Sequence, residues 1–375
     1  MVGATAPRVS ATVILPKPAL QRVLDNLRES GFQLIGPTVR DGAVILDAIQ
    51  HISELPIGWT LEQTAGSSRL LRGRSSDYFG FNVGPHSWKR YLFPPRSDLL
   101  KANRNGEEWT FEPVLDESAP YAFIGVRPCD LHAIAIQDDV FANGNVSDPR
   151  YGHRRERAFI MAANCNTAAE TCFCTSMNTG PRAHSGFDLA LTELSDSFVI
   201  EIGSEAGSNV LAGVDWQPAG AFDLGRVTQI TQRTERQIQR QVTTSDLPQL
   251  LYDRIDHPYW DTIGARCLAC ANCTSVCPTC FCSTIEDSSN LTGVETMRTR
   301  VWDSCFILDF SHVNGGNSRP AIKSRFRQWM THKLGAWIDQ FGRSGCVGCG
   351  RCIAWCPVGI DITEELSTLR SQGTR

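Results

Sequence analysis

Leu20, Val23, Leu24 and Leu27 recur three and four residues apart, which predicts an amphipathic helix over residues 19–30 that stops before Gly31. Two apolar runs follow, 32–39 and 42–48, and the Asp41-Gly42 step between them reads as a turn joining two strands. Further on, residues 121–126 have the composition of a buried strand, and the stretch after Arg127 reads as a helix opening near Pro128. Residues 158–164 and 198–203 are apolar strands of the same kind, so an α/β or α+β unit is expected between about 115 and 215. Ligands in such sheets lie beyond the carboxyl ends of strands, and Cys129 and Cys165 each fall just past one.

The pattern then thins. Residues 222–241 are rich in Arg and Gln, with only Val227, Ile230 and Ile238 as an apolar stripe, as expected of an exposed linking helix. Beyond 278 come a short apolar run, 306–310, and a helix over 323–338 rich in Trp, Phe and Leu. No stretch approaches 18 consecutive apolar residues, so no membrane insertion is expected.

The remaining signal is cysteine, 15 among 375 residues. Cys267, Cys270, Cys273 and Cys277, with Pro278 after them, follow the spacing C-x2-C-x2-C-x3-C-P, and Cys346, Cys349, Cys352, Cys356 and Pro357 repeat it. This is the bacterial ferredoxin run: three thiolates grip one [4Fe–4S] cube and the fourth ligates the cube of the other run. Structural zinc prefers four ligands in two separated pairs and has no use for the compact third and fourth cysteines. The N-terminus shows no basic-then-apolar signal segment, so the expected compartment is the reducing cytoplasm, where such thiols are metal ligands rather than disulfides. The gap from Cys277 to Cys346 favours the helical variety of two-cluster domain.

The expected fold is therefore α+β: an N-terminal α/β-type region followed by a mainly α-helical two-cluster ferredoxin-like domain. Its divisions are 1–115, of unknown role; 116–220, α/β; 221–245, a linking helix; and 246–375, the ferredoxin-like domain. A net charge of −4 argues against nucleic acid, and the short basic stretches at 154–157 and 319–327 read as solvated faces.

Seven cysteines remain. Thr171-Cys-Phe-Cys174 recurs as Thr279-Cys-Phe-Cys282, each with a cysteine seven positions before its first. Cys129, Cys165, Cys172 and Cys174 are the candidate ligands of a third Fe–S cluster. A rival assignment joins Cys172, Cys174, Cys280 and Cys282 in one site, and free buried thiols are the third reading, the leading one for Cys305. His132, His184, His257 and His312 read as packed or capping residues. Neither G-x-G-x-x-G nor a Walker run is present, and Gly203 and Gly207 are a weak phosphate signal, so no nucleotide site is expected on this chain.

The segments 125–134, Asn164-Cys165, Thr171–Cys174, 186–194 and 277–282 together resemble the beta (iron–sulfur) subunit of cytoplasmic [NiFe] sulfhydrogenases and the related A subunit of anaerobic sulfite reductases. The resemblance covers about residues 120–360. It implies a non-catalytic subunit that passes electrons between a flavin/NAD(P)-binding reductase subunit and the catalytic subunits of a [NiFe] hydrogenase, or of a sulfite reductase. The residues alone point the same way: clusters without nucleotide site, membrane anchor or catalytic base make a relay. Arg266 and Arg351, beside the two runs, are expected to raise the cluster potentials. Two rivals stand beside this reading. Cys280, Cys282 and Cys305 could hold a cluster with an open coordination site that reduces a sulfur substrate directly, or the N-terminal region could bind a flavin. Equal iron and acid-labile sulfide, at least about eight of each per chain, are expected on anaerobic purification; zinc without sulfide would contradict the cluster assignment.

Overall fold

The computed structural model describes residues 6–73, 75–116 and 118–373. Leu20–Glu29 is the first long helix, and Leu20, Val23, Leu24 and Leu27 are its buried side. Gln33–Arg40 and Ala43–Ala48 then pair antiparallel. Asp41 and Gly42, at φ 48° and 74°, both take left-handed backbone in the turn between them. That is the hairpin turn whose twist suits the strands it joins.

The hairpin is one edge of an eight-stranded sheet. In spatial order the sheet runs Gln217–Pro218, Thr12–Pro16, Ser197–Ile202, Leu189–Glu193, Phe159–Ala163, Tyr121–Val126, Gln33–Arg40 and Ala43–Ala48. Gln33–Arg40, Tyr121–Val126, Phe159–Ala163 and Leu189–Glu193 are parallel to one another, and the outer strands are antiparallel. Strands from 1–115 and 116–220 thus interleave in one sheet, with a division at 115/116 running through it. The strand Leu189–Glu193 was not anticipated by the apolar pattern.

One face of the sheet packs on Leu20–Glu29, and the other on the helices Pro128–Phe141 and Pro149–Glu156. Ala122 and Ile124 belong to the first core, Phe123 and Val126 to the second. Strict alternation would send Val126 to the same side as Ile124. A register shift between Ile124 and Val126, at Gly125 with φ +84°, turns the strand end over. A bulge re-aims the chain beyond it, here Arg127-Pro128-Cys129.

Helix Ala221–Gln237 crosses from the sheet toward the C-terminal part, and its Val227 and Ile230 pack on Leu194 and Val199. It is therefore docked along its apolar stripe. The C-terminal part has its own core, including Leu251, Trp260, Ile263, Phe306, Phe326, Trp329 and Leu366. The insertion between the cysteine runs is less helical than expected. Ser283–Ser289 and Glu295–Trp302 form a hairpin that extends a four-stranded antiparallel sheet with Arg96–Asn105 and Glu108–Pro113. The anticipated helix over 323–338 is Ile322–Thr331, which continues through a π-helical turn, His332–Ala336, into Trp337–Phe341.

The two parts meet through the second cysteine run. Arg351 donates to both carboxylate oxygens of Asp130 at 2.7 and 2.8 Å and to the Gly84 carbonyl at 3.1 Å. Arg351 is 2% and Asp130 3% exposed. Removing one partner of such a pair strands the other charge, which typically costs ~3–5 kcal/mol. Asp130→Ala is expected to destabilise the chain by about that amount in chemical denaturation, while Asp246→Ala costs less than ~1 kcal/mol. The carboxylate of Asp246 meets Arg370 at the exposed surface.

Candidate iron–sulfur sites

The two cysteine runs fold into the same turn. Ala269 and Ala271 take φ of 51° and 65°, and Gly348 and Gly350, at the equivalent positions, take 64° and 75°. Left-handed residues alternating with ordinary ones turn successive amides into a concavity that favours negative charge, a geometry recurrent at Fe–S sites. The amides reach sulfur: Ala269 N donates to Cys267 Sγ at 3.4 Å, Gly348 N to Cys346 Sγ at 3.5 Å and Ile360 N to Cys356 Sγ at 3.3 Å. A short helix follows each turn, Asn272–Ser275 and Arg351–Ala354.

The thiols gather crosswise. Cys267, Cys270 and Cys273 share a cavity wall with Cys356 of the other run, closed by Phe306, Phe326 and Trp329, with Cys352 at the side toward the second group. Cys346, Cys349 and Cys352 gather around Cys277. Each group has the donor set of one [4Fe–4S] cube, three thiolates from one run and the last from the other. Among the described residues, no three His, Cys, Asp or Glu side chains converge closely enough to hold a single metal ion.

Charge supports an anionic group at the second site. Lys333, on the π-helical turn, is 6% exposed and makes no ion pair with a carboxylate among the described residues. It donates to Cys277 Sγ at 3.4 Å, Thr279 Oγ1 at 2.8 Å and the Gly345 carbonyl at 3.1 Å. Burial works against its charge, but Cys277, Cys280 and Cys346 outweigh burial and hold it well above the ordinary lysine value. An ammonium buried among thiols suits a cluster with net negative charge. Of the two arginines expected to do this, Arg266 is engaged by Glu365 at 2.6 Å, whereas Arg351 is paired with Asp130 and also lies beside the Cys349 thiol. A lysine set among Trp329, Met330, Leu334 and Trp337 was the available signal.

The remaining cysteines fall into two groups. Cys174 neighbours Cys172, Cys165 and Cys349, and Cys129 neighbours Cys174 and Cys349. Burial pushes the thiols of Cys129 and Cys174 well above the usual value, so a bound metal is what would hold them as thiolates. Cys280 lies instead beside Cys277, and Cys282 beside Cys305. The two Cys-Phe-Cys pairs therefore serve different groups, and the assignment of Cys172, Cys174, Cys280 and Cys282 to one site does not describe this fold. Of the histidines, His257 acts as a cap, its Nδ1 accepting from Tyr259 N at 3.2 Å.

The loop of the second run rests on Thr171–Cys174. Phe173 N donates to the Gly348 carbonyl at 2.9 Å, and Thr179 Oγ1 to the Val347 carbonyl at 2.6 Å. A Cβ on Gly348 would stand 2.7 Å from the Cys174 backbone, and one on Gly350 2.4 Å from the Thr171 carbonyl oxygen. Glycine is required at both positions for space as well as for backbone conformation.

Residues 266–360 match the family model of the 4Fe-4S dicluster domain. Sulfhydrogenase 2 subunit beta of Pyrococcus furiosus is 32% identical over 289 residues, covering 75% of this chain and 82% of that protein. The chain belongs to the sulfhydrogenase beta-subunit family. No solved structure matches it. The family's dicluster segment contains both cysteine runs and Lys333, while Cys129, Cys165, Cys172 and Cys174 lie outside it. The fold is α+β, with the sheet region N-terminal to the Fe–S domain. Among the described residues no helix is long and apolar enough to cross a membrane.

With a cluster bound at Cys277, removing the Lys333 charge would destabilise its more negative, reduced form. Lys333→Met is expected to lower that cluster's potential by roughly 50–150 mV, the one-electron equivalent of ~1–4 kcal/mol. Arg266→Ala leaves the potentials unchanged, and an EPR-monitored redox titration measures both.

Proposed function

We propose that this chain is the electron-transfer subunit of a cytoplasmic sulfhydrogenase-type complex. It relays electrons between a flavin/NAD(P)-binding subunit and the catalytic subunit of a [NiFe] hydrogenase. Two [4Fe–4S] clusters are held by Cys267, Cys270, Cys273 and Cys356, and by Cys346, Cys349, Cys352 and Cys277. A third is held by Cys129, Cys165, Cys172 and Cys174.

The observation that carries this reading is the seating of the Cys346–Cys352 loop on Thr171–Cys174. It sets the sheet-side thiols against Cys349, so the three groups form one series. One end lies in the sheet region. The other reaches the surface, where Cys270 is exposed and Leu268 is 62% exposed. The clusters supply one-electron chemistry when bound. The chain fixes the thiolates on rigid turns, walls the Cys267–Cys273 site with Phe306, Phe326 and Trp329, and places Lys333 against Cys277. The family relative is itself named a subunit, which fits a relay whose terminals lie on other chains.

Cys174→Ser tests this in the assembled complex. The variant chain is expected to carry about four fewer irons, and hydrogen-driven reduction of NAD(P)+ is lost while dye reduction at the hydrogenase subunit persists. Loss of iron with undiminished NAD(P)+ reduction would overturn the relay.

A further inference from the structure

Cys280, Cys282 and Cys305 are used by neither the ferredoxin pattern nor the sheet-side group, yet all three lie around Lys333, Cys282 directly beside Cys305. The hairpin Ser283–Ser289/Glu295–Trp302 opens with Ser283 opposite Trp302, and Asp303 N donates to the Cys282 carbonyl at 2.9 Å. Cys282 is thereby fixed at the open end of the hairpin, with Cys305 beside it on the returning strand's continuation. The turn carrying Cys305 is tied to the first cysteine run, where Ser304 Oγ and Thr274 Oγ1 lie 2.7 Å apart. Cys280 follows Thr279, whose hydroxyl donates to the Gly345 carbonyl at 2.7 Å. Cys305 is buried, and the other two are partly so.

The two Thr-Cys-Phe-Cys segments are built alike. Thr171 and Thr279 are both buried, at 0% and 2% exposure. Phe173, from the sheet region, sits in the ferredoxin-side core. Phe281, from the ferredoxin side, reaches back to Phe141 of the sheet region, with ring centroids 6.0 Å apart, while also packing on Trp337 of its own part. Each phenylalanine anchors its segment in the opposite part, and each leaves two cysteines facing a further thiol group. One copy of this device lies at a candidate cluster.

A second buried cation accompanies the second copy. Lys89 is 5% exposed and makes no ion pair among the described residues. Its Nζ donates to the Cys280 carbonyl at 2.9 Å and lies 3.8 Å from the Trp302 ring centroid. Burial pulls its ammonium below the ordinary lysine value, and Cys280, Cys277 and Cys282 act in the opposite sense. Lys333 answers to Cys277, whereas Lys89 stands nearest Cys280. Both lysines lie beside Cys277 and Cys280, and neither is paired with a carboxylate among the described residues.

We propose that Cys280, Cys282 and Cys305 hold a fourth iron–sulfur cluster, a [4Fe–4S] cube with one iron that has no cysteine ligand. The other thiol beside Cys280 is Cys277, which belongs to the second ferredoxin cluster, so three thiolates remain for four irons. The uncovered iron takes a solvent-derived or small anionic ligand and is the exchangeable corner of the cube. This rests on the chain being an iron–sulfur protein, as the preceding subsection reads it.

The full-length chain, purified without oxygen, provides the test. It is expected to hold about sixteen irons with equal sulfide. Mild ferricyanide oxidation removes the uncovered iron and gives one [3Fe–4S] EPR signal per chain, a readout that needs no variant. Cys280→Ser and Cys305→Ser abolish that signal and about four irons, leaving the EPR signals of the other clusters in place. Cys174→Ser leaves the [3Fe–4S] signal intact, which separates this site from the sheet-side one. The proposal is overturned if the variants keep their full iron, if one zinc per chain occupies the site, or if alkylation and mass spectrometry recover a Cys282–Cys305 disulfide. Loss of every cluster signal in the unmodified chain would overturn the relay reading instead.

Discussion

The close seating of one backbone on another organises this molecule. The Cys346–Cys352 turn lies directly on Thr171–Cys174, with Gly348 and Gly350 at the points of contact, where any side chain would meet main-chain atoms. Around that contact Arg351 and Asp130 neutralise each other in full burial, and Thr179 closes onto Val347. The position of the sheet-side cysteines relative to the ferredoxin cysteines follows from these few interactions. Loosening them would separate the two parts electronically before it unfolded either, because each part has its own core.

The comparison between the two turns shows how local and global demands divide. Both need left-handed backbone at the same two positions. The first run meets that need with Ala269 and Ala271, accepting strain on the order of 1 kcal/mol each, because its surroundings leave room for a methyl group. The second run uses glycine because the neighbouring segment leaves no room for a Cβ. The geometry is set by what the turn must hold, and the residue type by what lies against it. The charges divide similarly. Both arginines next to the cysteine runs are paired with carboxylates, Arg351 also lying beside Cys349, and buried lysines distant in sequence, Lys333 and Lys89, face the sulfur as well.

Much of this was legible in the chain and some was not, for identifiable reasons. The helix Leu20–Glu29, the hairpin after it, the strands at 121–126 and 159–163 and the helix from Pro128 follow from periodicity and turn chemistry that tertiary contacts did not override. The crosswise cysteine runs follow from spacing. Leu189–Glu193 was missed because its Thr192 and Glu193 mask a buried strand; both are buried, and Glu193 is held by Lys17 at 2.7 Å. The hairpin in the insertion was missed because its first strand, Ser283–Ser289, is polar and largely exposed, and the pairing of its second strand with Arg96–Asn105 is a contact between segments about two hundred residues apart. The same non-local pairing joins residues 1–115 to 116–220, which sequence reads as separate regions. Lys333 was overlooked because proximity along the chain pointed to Arg266 and Arg351.

Iron-edge anomalous diffraction from crystals grown without oxygen tests the central claim most directly, because it places metal without assuming ligands. The account predicts iron enclosed by Cys267, Cys270, Cys273 and Cys356, by Cys346, Cys349, Cys352 and Cys277, and by Cys129, Cys165, Cys172 and Cys174, in one continuous series. Iron at the two ferredoxin groups with none among Cys129, Cys165, Cys172 and Cys174 would contradict it, since the series would then end inside the protein with no relay in the sheet region.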